Sequence, residues 1–583
     1  MTNNNPVKVD VFICGGGPVG LLLSYQLARL GLSVYTVEQH TVSRQTRYGR
    51  ASTLYPRTME MLDQLSLADS LTQVGLIGRE HSSFRNGKKV HRRSWNLLIH
   101  VTDTFFDYAL NIRQKYSEEI FRAAFEQHGG HVHAGAKLKD FHLDEDARDD
   151  YKVIADVAGE DGNPVQVYAN VRTIANIPFI GERTKHNWVR IDAVVKTNMP
   201  DARIGFGAIE SETHGNVLWV ALDHGRTRIG FALSAELYKK YGAAIAEADV
   251  KREAVRAVAP FKLEFVMVDW WTLYSVGQRV AERFQDRERI LLAGDAGHTH
   301  SSGAAQGMNT GTHDAVNLGW KLGGVLKGWY RPCVLSSYSS ERRPVAQYLI
   351  EVDKAISSLI SGKIPDTYVG DRHNGNVHMV LGDLIESTKQ FSNGLGINYP
   401  IDDLLNRPTS SIASAHQGTV APTIPVRLYQ LTKNCAKFHV LVFAGSPAAT
   451  SPHLHSLRAY LDSEDSFTKR LQDVFNFLTV IAGTGNQPDE VLGVEKFGYA
   501  CYDVDHAAHR RYTIPREAGG IVVLRPDGIV GMVMPKKREV VGFGGGVEVG
   551  VQNTNGGVGV VHQFGEPVGD EAEEEKDEVV LLG

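Results

Sequence analysis

Lys8-Val9-Asp10-Val11-Phe12-Ile13-Cys14-Gly15-Gly16-Gly17-Pro18-Val19-Gly20 is the stretch whose reading decides the fold. Residues 8–14 are a short apolar strand. Gly15, Gly17 and Gly20 fit G-x-G-x-x-G, and Leu21, Leu22, Tyr25 and Leu27 to Leu30 continue as a helix that Gly31 stops. Val34-Tyr35-Thr36-Val37 is a second buried strand ending on Glu38. Each part has a physical task. Gly15 permits a tight turn, Gly17 lets the backbone approach a pyrophosphate, and Gly20 lets helix and strand pack closely. Free N–H groups at the helix start favour phosphate oxygens, and Glu38 takes a ribose hydroxyl. The strand before, the helix after and the terminal acid supply the context that a lone glycine motif lacks. The stretch predicts a dinucleotide-binding α/β unit and leaves open which dinucleotide.

The bulk properties set bounds around that unit. A chain of 583 residues predicts about three domains. Its hydrophobic content of 42% and charged content of 22% are those of a globular protein. The net charge of -5 lies within the acidic run 570–578, so no basic nucleic-acid surface is expected. Four separated cysteines, without C-x-x-C, argue against a disulfide scaffold or a zinc ribbon. They suit a reducing compartment, and a cytoplasmic protein is expected. The N-terminus lacks the apolar core of a signal peptide, and no run approaches the ~20 apolar residues of a membrane span.

Further along, Ala51 to Leu62 ends in a helix with an apolar stripe, and Arg50 before it reads equally well as a solvated side chain or a cofactor contact. Residues 78–112 read as sheet, with a hairpin turn at Asn86-Gly87 between His81–Phe84 and Lys88–Trp95. A helix is expected over Ser117–His128, and strands over 151–157 and 164–169. The block 186–233 is strand-rich without βαβ alternation, as a substrate-covering sheet would be. A second cofactor signal is Arg289 to His298, a buried strand running into Gly294-Asp295, followed by Gly303 to Asn309 opening a helix through Leu326. Its carboxylate can accept a sugar hydroxyl, and the amides of the next helix can face an anion forming on a bound ring such as a flavin. Residues 408–425, rich in Ser, Thr, Ala and Pro, read as linker. The strands Phe438–Phe443, Phe477–Ile481 and Gly520–Leu524 look thioredoxin-like, but without C-x-x-C redox work by them is not expected. Residues 542–569 are Gly-rich and aperiodic, and read as disordered.

Two histidine groups are candidate metal ligands. His128, His131 and His133 have no acid or cysteine at ligand spacing in the sequence. His506 and His509 lie beside Asp503 and Asp505 in the outer domain. No metal is expected at either. His298 and His300, beside the Gly-Asp strand, read as positioning residues.

Gly15 to Gly20, Glu38, Gly49-Arg50-Ala51, Gln114, and Gly294-Asp295 with Gln306-Gly307-Met308-Asn309 together resemble the single-component FAD-dependent aromatic hydroxylases. The nearest branch is the phenol 2-monooxygenase type with a C-terminal thioredoxin-like domain, and the likeness covers about residues 8–535. The resemblance implies a discontinuous Rossmann-like FAD domain (1–77, 113–180 and 276–400) with an inserted sheet-rich substrate domain (78–112 and 181–275). A linker (401–425), a thioredoxin-like domain (426–535) and a disordered tail (536–583) follow. It implies FAD and NADPH as cofactors, O2 and a small aromatic as substrates, and a homodimer. NADPH reduces FAD and leaves. Reduced FAD takes up O2 as a C4a-hydroperoxide, which hydroxylates an activated ring. By match to the motifs, Gly15, Gly17, Pro18, Val19 and Gly20 cradle the phosphates, and Glu38 and Gln39 hold ribose. Arg50, Ala51, Ser52 and Gln114 line the cofactor. Asp295, Ala305, Gln306, Gly307, Met308 and Asn309 reach ribityl and ring.

The chemistry also sets a demand on the pocket. A phenol has a pKa of about 10, the reference value for tyrosine. Phenolate is the more reactive form, so the site needs a base or a nearby positive charge. The family pattern has an Asp where this chain has Ser52, and a Tyr near Gly230 or Phe231, where this chain has no hydroxyl. Arg228 and Tyr274 remain as catalytic candidates, although Tyr274, close to Trp270 and Trp271, also reads as core. Three more departures stand out. An Asp-Gly segment of about ten residues is absent between Asn170 and Val171, through a displaced splice junction or a true loss. Ser302 and Ala305 stand where a proline and a glycine are usual. The tail after Pro535 matches nothing in the family. These leave two alternatives open: a flavin-fold binding protein that no longer catalyses, and a flavin dehydrogenase that does not use O2.

Overall fold

The computed structural model describes residues 7–45, 51–90, 97–98, 101, 104–144, 146, 151–173, 178–287, 289–301, 303–399, 417–420, 424–471, 473–483, 498–535, 551–552 and 558–559. Arg50, Ser302, residues 401–416 of the expected linker and nearly all of the expected tail lie outside them. The chain divides into two compact units, Met1–Asp403 with Thr432–Lys437 and Pro526–Gly528, and Leu404–Leu431 with Phe438–Arg525 and Ile529–Gly583.

The first unit holds two large sheets and a small three-stranded one of Thr53–Leu54, Ala109–Asn111 and Leu76–Gly78. In the nucleotide sheet, β1 (Val7–Cys14) is followed by α1 (Pro18–Arg29) and β2 (Val34–Glu38). The edge strand β3 (Val132–Ala134) lies parallel to β2, and β5 (Pro164–Thr173) lies parallel to β1 on its other side. β4 (Val153–Ala158) pairs antiparallel with β5, and with Lys137–Leu143. Apolar residues on both faces of β1, with Val11, Phe12 and Ile13 fully buried, are the mark of a parallel strand covered on two sides.

The substrate sheet is antiparallel in its long part. β6 (Phe179–Thr197) lies between β10 (Leu263–Ala281) and β9 (Thr227–Leu233). β8 (Gly215–Ala221) and β7 (Gly205–Ser211) continue it, and Glu80–Arg85 adds a parallel edge. The chain then returns to the nucleotide sheet: β11 (Ile290–Leu291) lies parallel to β5, pairing Arg172 with Ile290. The parallel order is therefore β11-β5-β1-β2-β3. Three helices close the unit: α2 (Gly307–Leu326), α3 (Ser336–Ile360) and α4 (Val377–Ser392).

Several expectations need correction. The second hairpin strand covers Lys88–Lys89, and residues 91–95 of its expected continuation to Trp95 lie outside the described residues. The helix expected from Ser117 begins three residues earlier, at Gln114. β5 does not turn after Ala169 but runs on to Thr173, in register with β1 as far as Ile13.

In the second unit, Phe438–Gly445 lies parallel to Phe475–Ala482 and antiparallel to Gly520–Leu524, which pairs in turn with Val530–Pro535. Inside the stretch read as linker, Gln417–Val420 pairs antiparallel with Ile424–Arg427. Its Pro425 stands on the outermost strand, the one sheet position where a missing N–H costs little. Cys501 is buried, and burial, followed by the nearby Asp503 charge, pushes its thiol up to about 12, the profile of an inert structural thiol.

Candidate active site

The first glycine turn is held by its own backbone and by Glu38. Gly15 takes φ +120° and donates its N–H to the Val37 carbonyl at 2.8 Å. The Glu38 carboxylate accepts from the Gly16 N–H at 3.0 Å and from the His40 N–H at 2.8 Å. A carboxylate has about four acceptor positions, so capacity for a sugar hydroxyl remains. Gln39 beside it is exposed. A Cβ at Gly20 would stand 1.9 Å from the Gly15 carbonyl oxygen, whereas a Cβ at Gly17 would meet no atom within 4 Å. One glycine is thus required by packing and the other fronts open space. No side chain caps the first turn of α1, and Pro18 occupies its first helical position. These features fit a pyrophosphate at the α1 N-terminus.

The second turn meets the first through Val19. Gly294 has φ +59°, and a Cβ there would lie 2.8 Å from Val19 Cγ2; one at Gly311 of α2 would lie 2.6 Å from the same methyl. Behind this contact is a buried charge network. Asp314 accepts from the Gly294 N–H (3.0 Å), from His298 Nε2 (2.8 Å) and from Arg342 Nε (2.7 Å). Burial alone would push the Asp314 carboxyl up, but Arg342 and His298 hold it down to about 2. His298 and the Gly294 N–H thus share one oxygen of Asp314. Asp295 is exposed, with no hydrogen-bond partner among the described residues, and is free to receive a hydroxyl.

Other predicted cofactor residues serve as braces. The Asn309 side chain accepts from the Tyr55 N–H (2.8 Å) and donates to the Thr53 and Ala305 carbonyls (both 2.9 Å). Gln306 donates to the Ser392 carbonyl at 2.8 Å. Gln114 and Ala51 clasp each other: the Gln114 N–H donates to the Ala51 carbonyl (2.9 Å), and the Ala51 N–H to Gln114 Oε1 (3.1 Å). Met308 is buried, Gly307 is half-buried at the helix start, and Ala305 holds φ +54°, a left-handed backbone at the position where the family has glycine.

The substrate sheet contributes charge. The Arg228 guanidinium binds Asp192 through two bonds of 2.7 and 2.8 Å, and its Nη1 donates to Ser52 Oγ at 2.9 Å. All three residues are buried. Sequence reading missed a second buried guanidinium, Arg190, which faces Gly230 across the β6–β9 register. A Cβ at Gly230 would stand 2.1 Å from Arg190 Nη1, so the glycine makes room for the arginine. The sequence showed only the missing hydroxyl near Gly230; the strand register shows that a charge from the neighbouring strand takes that space. Burial pushes the Arg190 guanidinium below its ordinary value, and Tyr274 and Arg228 act on it in opposite directions. Tyr274, opposite Trp188 on β10, packs in one apolar cluster with Trp188, Tyr55, Ala304 and Ala305. The buried Trp188 Nε1–H has no hydrogen-bond partner among the described residues.

Residues 8–353, more than half of the chain, match the FAD binding domain family. A phenol 2-monooxygenase of Aspergillus fumigatus is 26% identical over 94% of this chain and 98% of its own length. A 3-hydroxybenzoate 4-monooxygenase of Comamonas testosteroni is 28% identical over 91% and 93%. Among solved structures, aklavinone-11 hydroxylase, in a ternary complex with FAD and aklavinone, shares the fold with a TM-score of 0.65 at 20% identity, over 91% of this chain and 96% of its own. No helix among the described residues is long and apolar enough to cross a membrane. Two glycine turns meeting at Val19, in a chain that matches from Lys8 to Asp353, make this protein a member of the FAD binding domain family, in the company of FAD-dependent aromatic monooxygenases.

Proposed function

We propose that the protein uses FAD, NADPH and O2 to hydroxylate a phenolic or similarly activated aromatic compound. The observation that carries this reading is the apolar cluster in which Trp188 and Tyr274 of the substrate sheet pack with Ala304 and Ala305, the turn leading into α2, with two guanidiniums beside it. Gly15 to Gly20, Glu38 and Asp295 would hold the phosphates and sugar hydroxyls of FAD, which when bound would supply the redox and oxygen chemistry.

The chain's own task is to ready the ring. Arg190 and Arg228 bring buried positive charge to this side of the pocket, and positive charge beside a phenol oxygen favours phenolate over phenol. Arg228 is held by Asp192 and Ser52 and acts as a positioning residue, whereas Arg190, in the space that Gly230 leaves, is the candidate to face the phenol oxygen. Tyr274 and the unpartnered Trp188 N–H are suited to orient the phenol oxygen. The purified protein should be yellow, and a phenolic compound should stimulate its NADPH oxidation, with one atom of labelled O2 entering the product. A folded protein that stays colourless in excess FAD would end this reading.

One observation favours a second reading. β5 runs as strand through Thr173, where the family turns through an Asp-Gly segment. Bound FAD without any turnover would identify a flavin-fold binding protein. Within the second unit, the parallel pair Phe438–Gly445 and Phe475–Ala482, followed by the antiparallel Gly520–Leu524 hairpin, supports a thioredoxin-like reading. A cytoplasmic homodimer is the expectation that gel filtration and fractionation test.

A further inference from the structure

Among the described residues, one group of side chains outside the cofactor site has the composition of a metal centre. His131 and His133 flank Val132 at the start of the edge strand β3, and in extended backbone residues two apart share a face. The sequence offers them no acid at ligand spacing. The fold brings one from far away: Glu160, in the turn between β4 and β5, lies 3.9 Å through Oε1 from both His131 Nε2 and His133 Nδ1. The three ligand atoms all fall within 4.8 Å of one another. His128 is not a member of this group.

We propose that His131, His133 and Glu160 bind one divalent transition-metal ion of the zinc class, which clamps the edge strand β3 to the β4–β5 turn. Two imidazole nitrogens and one carboxylate oxygen suit zinc and disfavour calcium or magnesium, which take oxygen ligands. Bonds of about 2.0–2.1 Å to a tetrahedral ion put ligand atoms about 3.4 Å apart, so closure from 3.9 Å for the two His–Glu pairs, and from at most 4.8 Å for any pair, is within reach of side-chain movements. Glu160 and His131 are exposed and can make them. His133 is the fixed member: its ring stacks on Tyr35 of β2 at 4.0 Å and 15°. The fourth position is left for water.

The full-length protein tests this by equilibrium dialysis against micromolar zinc sulfate, compared with His131→Ala and Glu160→Ala. Both replaced side chains are exposed, so both variants should fold. Each should retain one zinc equivalent fewer than the parent, with affinity at that site down at least about tenfold. Zinc should raise the melting temperature of the parent and of neither variant, while magnesium chloride should leave all three unmoved. Equal zinc content and equal melting shifts in the parent and either variant would overturn the proposal, because zinc would then be held elsewhere, for instance by the free cysteines.

Discussion

The nucleotide sheet and the substrate sheet solve the same problem, holding polar groups in a dry site, by different means. On the nucleotide side the groups are backbone, and the device is the absence of side chains: Gly15, Gly20, Gly294 and Gly311 let segments approach where a Cβ would collide or the backbone could not turn. On the substrate side the groups are ionised side chains, and the device is pairing: Arg228 with Asp192 and Ser52, and Arg190 in the space that Gly230 leaves. A backbone site fails by steric collapse. A charge site keeps its shape and loses its chemistry. Substitutions on the two sides should therefore be read out by different measurements.

The largest effect should come from the network beneath the second turn. Asp314→Ala strands Arg342 as an unpaired buried charge and should destabilise the fold by about 3–5 kcal/mol in denaturant melts. The same group gives a pH signature. Its folded pKa lies below the ordinary 3.8, so its stabilisation is complete above about pH 4 and vanishes as pH falls toward 2. Asp314→Asn should flatten that acid slope. Next, Gly20→Ala places a methyl 1.9 Å from the Gly15 oxygen and should cost about 3 kcal/mol, with loss of yellow colour on purification.

Across the boundary, Arg190→Met keeps volume and leaves the Arg228–Asp192 pair intact. Melting should barely move. kcat/KM for a phenolic substrate should fall about tenfold at neutral pH, equivalent to about 1.4 kcal/mol, and the acid limb of its pH profile should move to higher pH. A large loss of stability instead would erase the distinction drawn between the two sheets. The smallest effect should be a gain. Ala305 pays for a left-handed backbone at φ +54°, and Ala305→Gly should stabilise by about 1 kcal/mol in thermal melts.

The same contrast explains how much was legible beforehand. G-x-G-x-x-G, Glu38 and Gly294-Asp295 are local patterns whose spacing carries their meaning, so the nucleotide side could be read directly. Asn309 and Gln306 were recognisable as site residues, but their bracing of Tyr55 and Ser392 was not, because those partners are 254 and 86 positions away. Arg190 was invisible for the same reason: its importance lies in a cross-strand register with Gly230. The paired strands at 417–427 were hidden by composition, since proline and threonine read as linker until an edge position excuses the proline.

Val19 deserves a last inference. One of its methyls approaches the sites where both Gly294 and Gly311 would carry a Cβ, so a single isopropyl group sets the spacing between segments almost three hundred positions apart. Among descendants of this chain, these three sites should drift together or not at all: a bulkier residue at either glycine is tolerable only where the valine has shrunk.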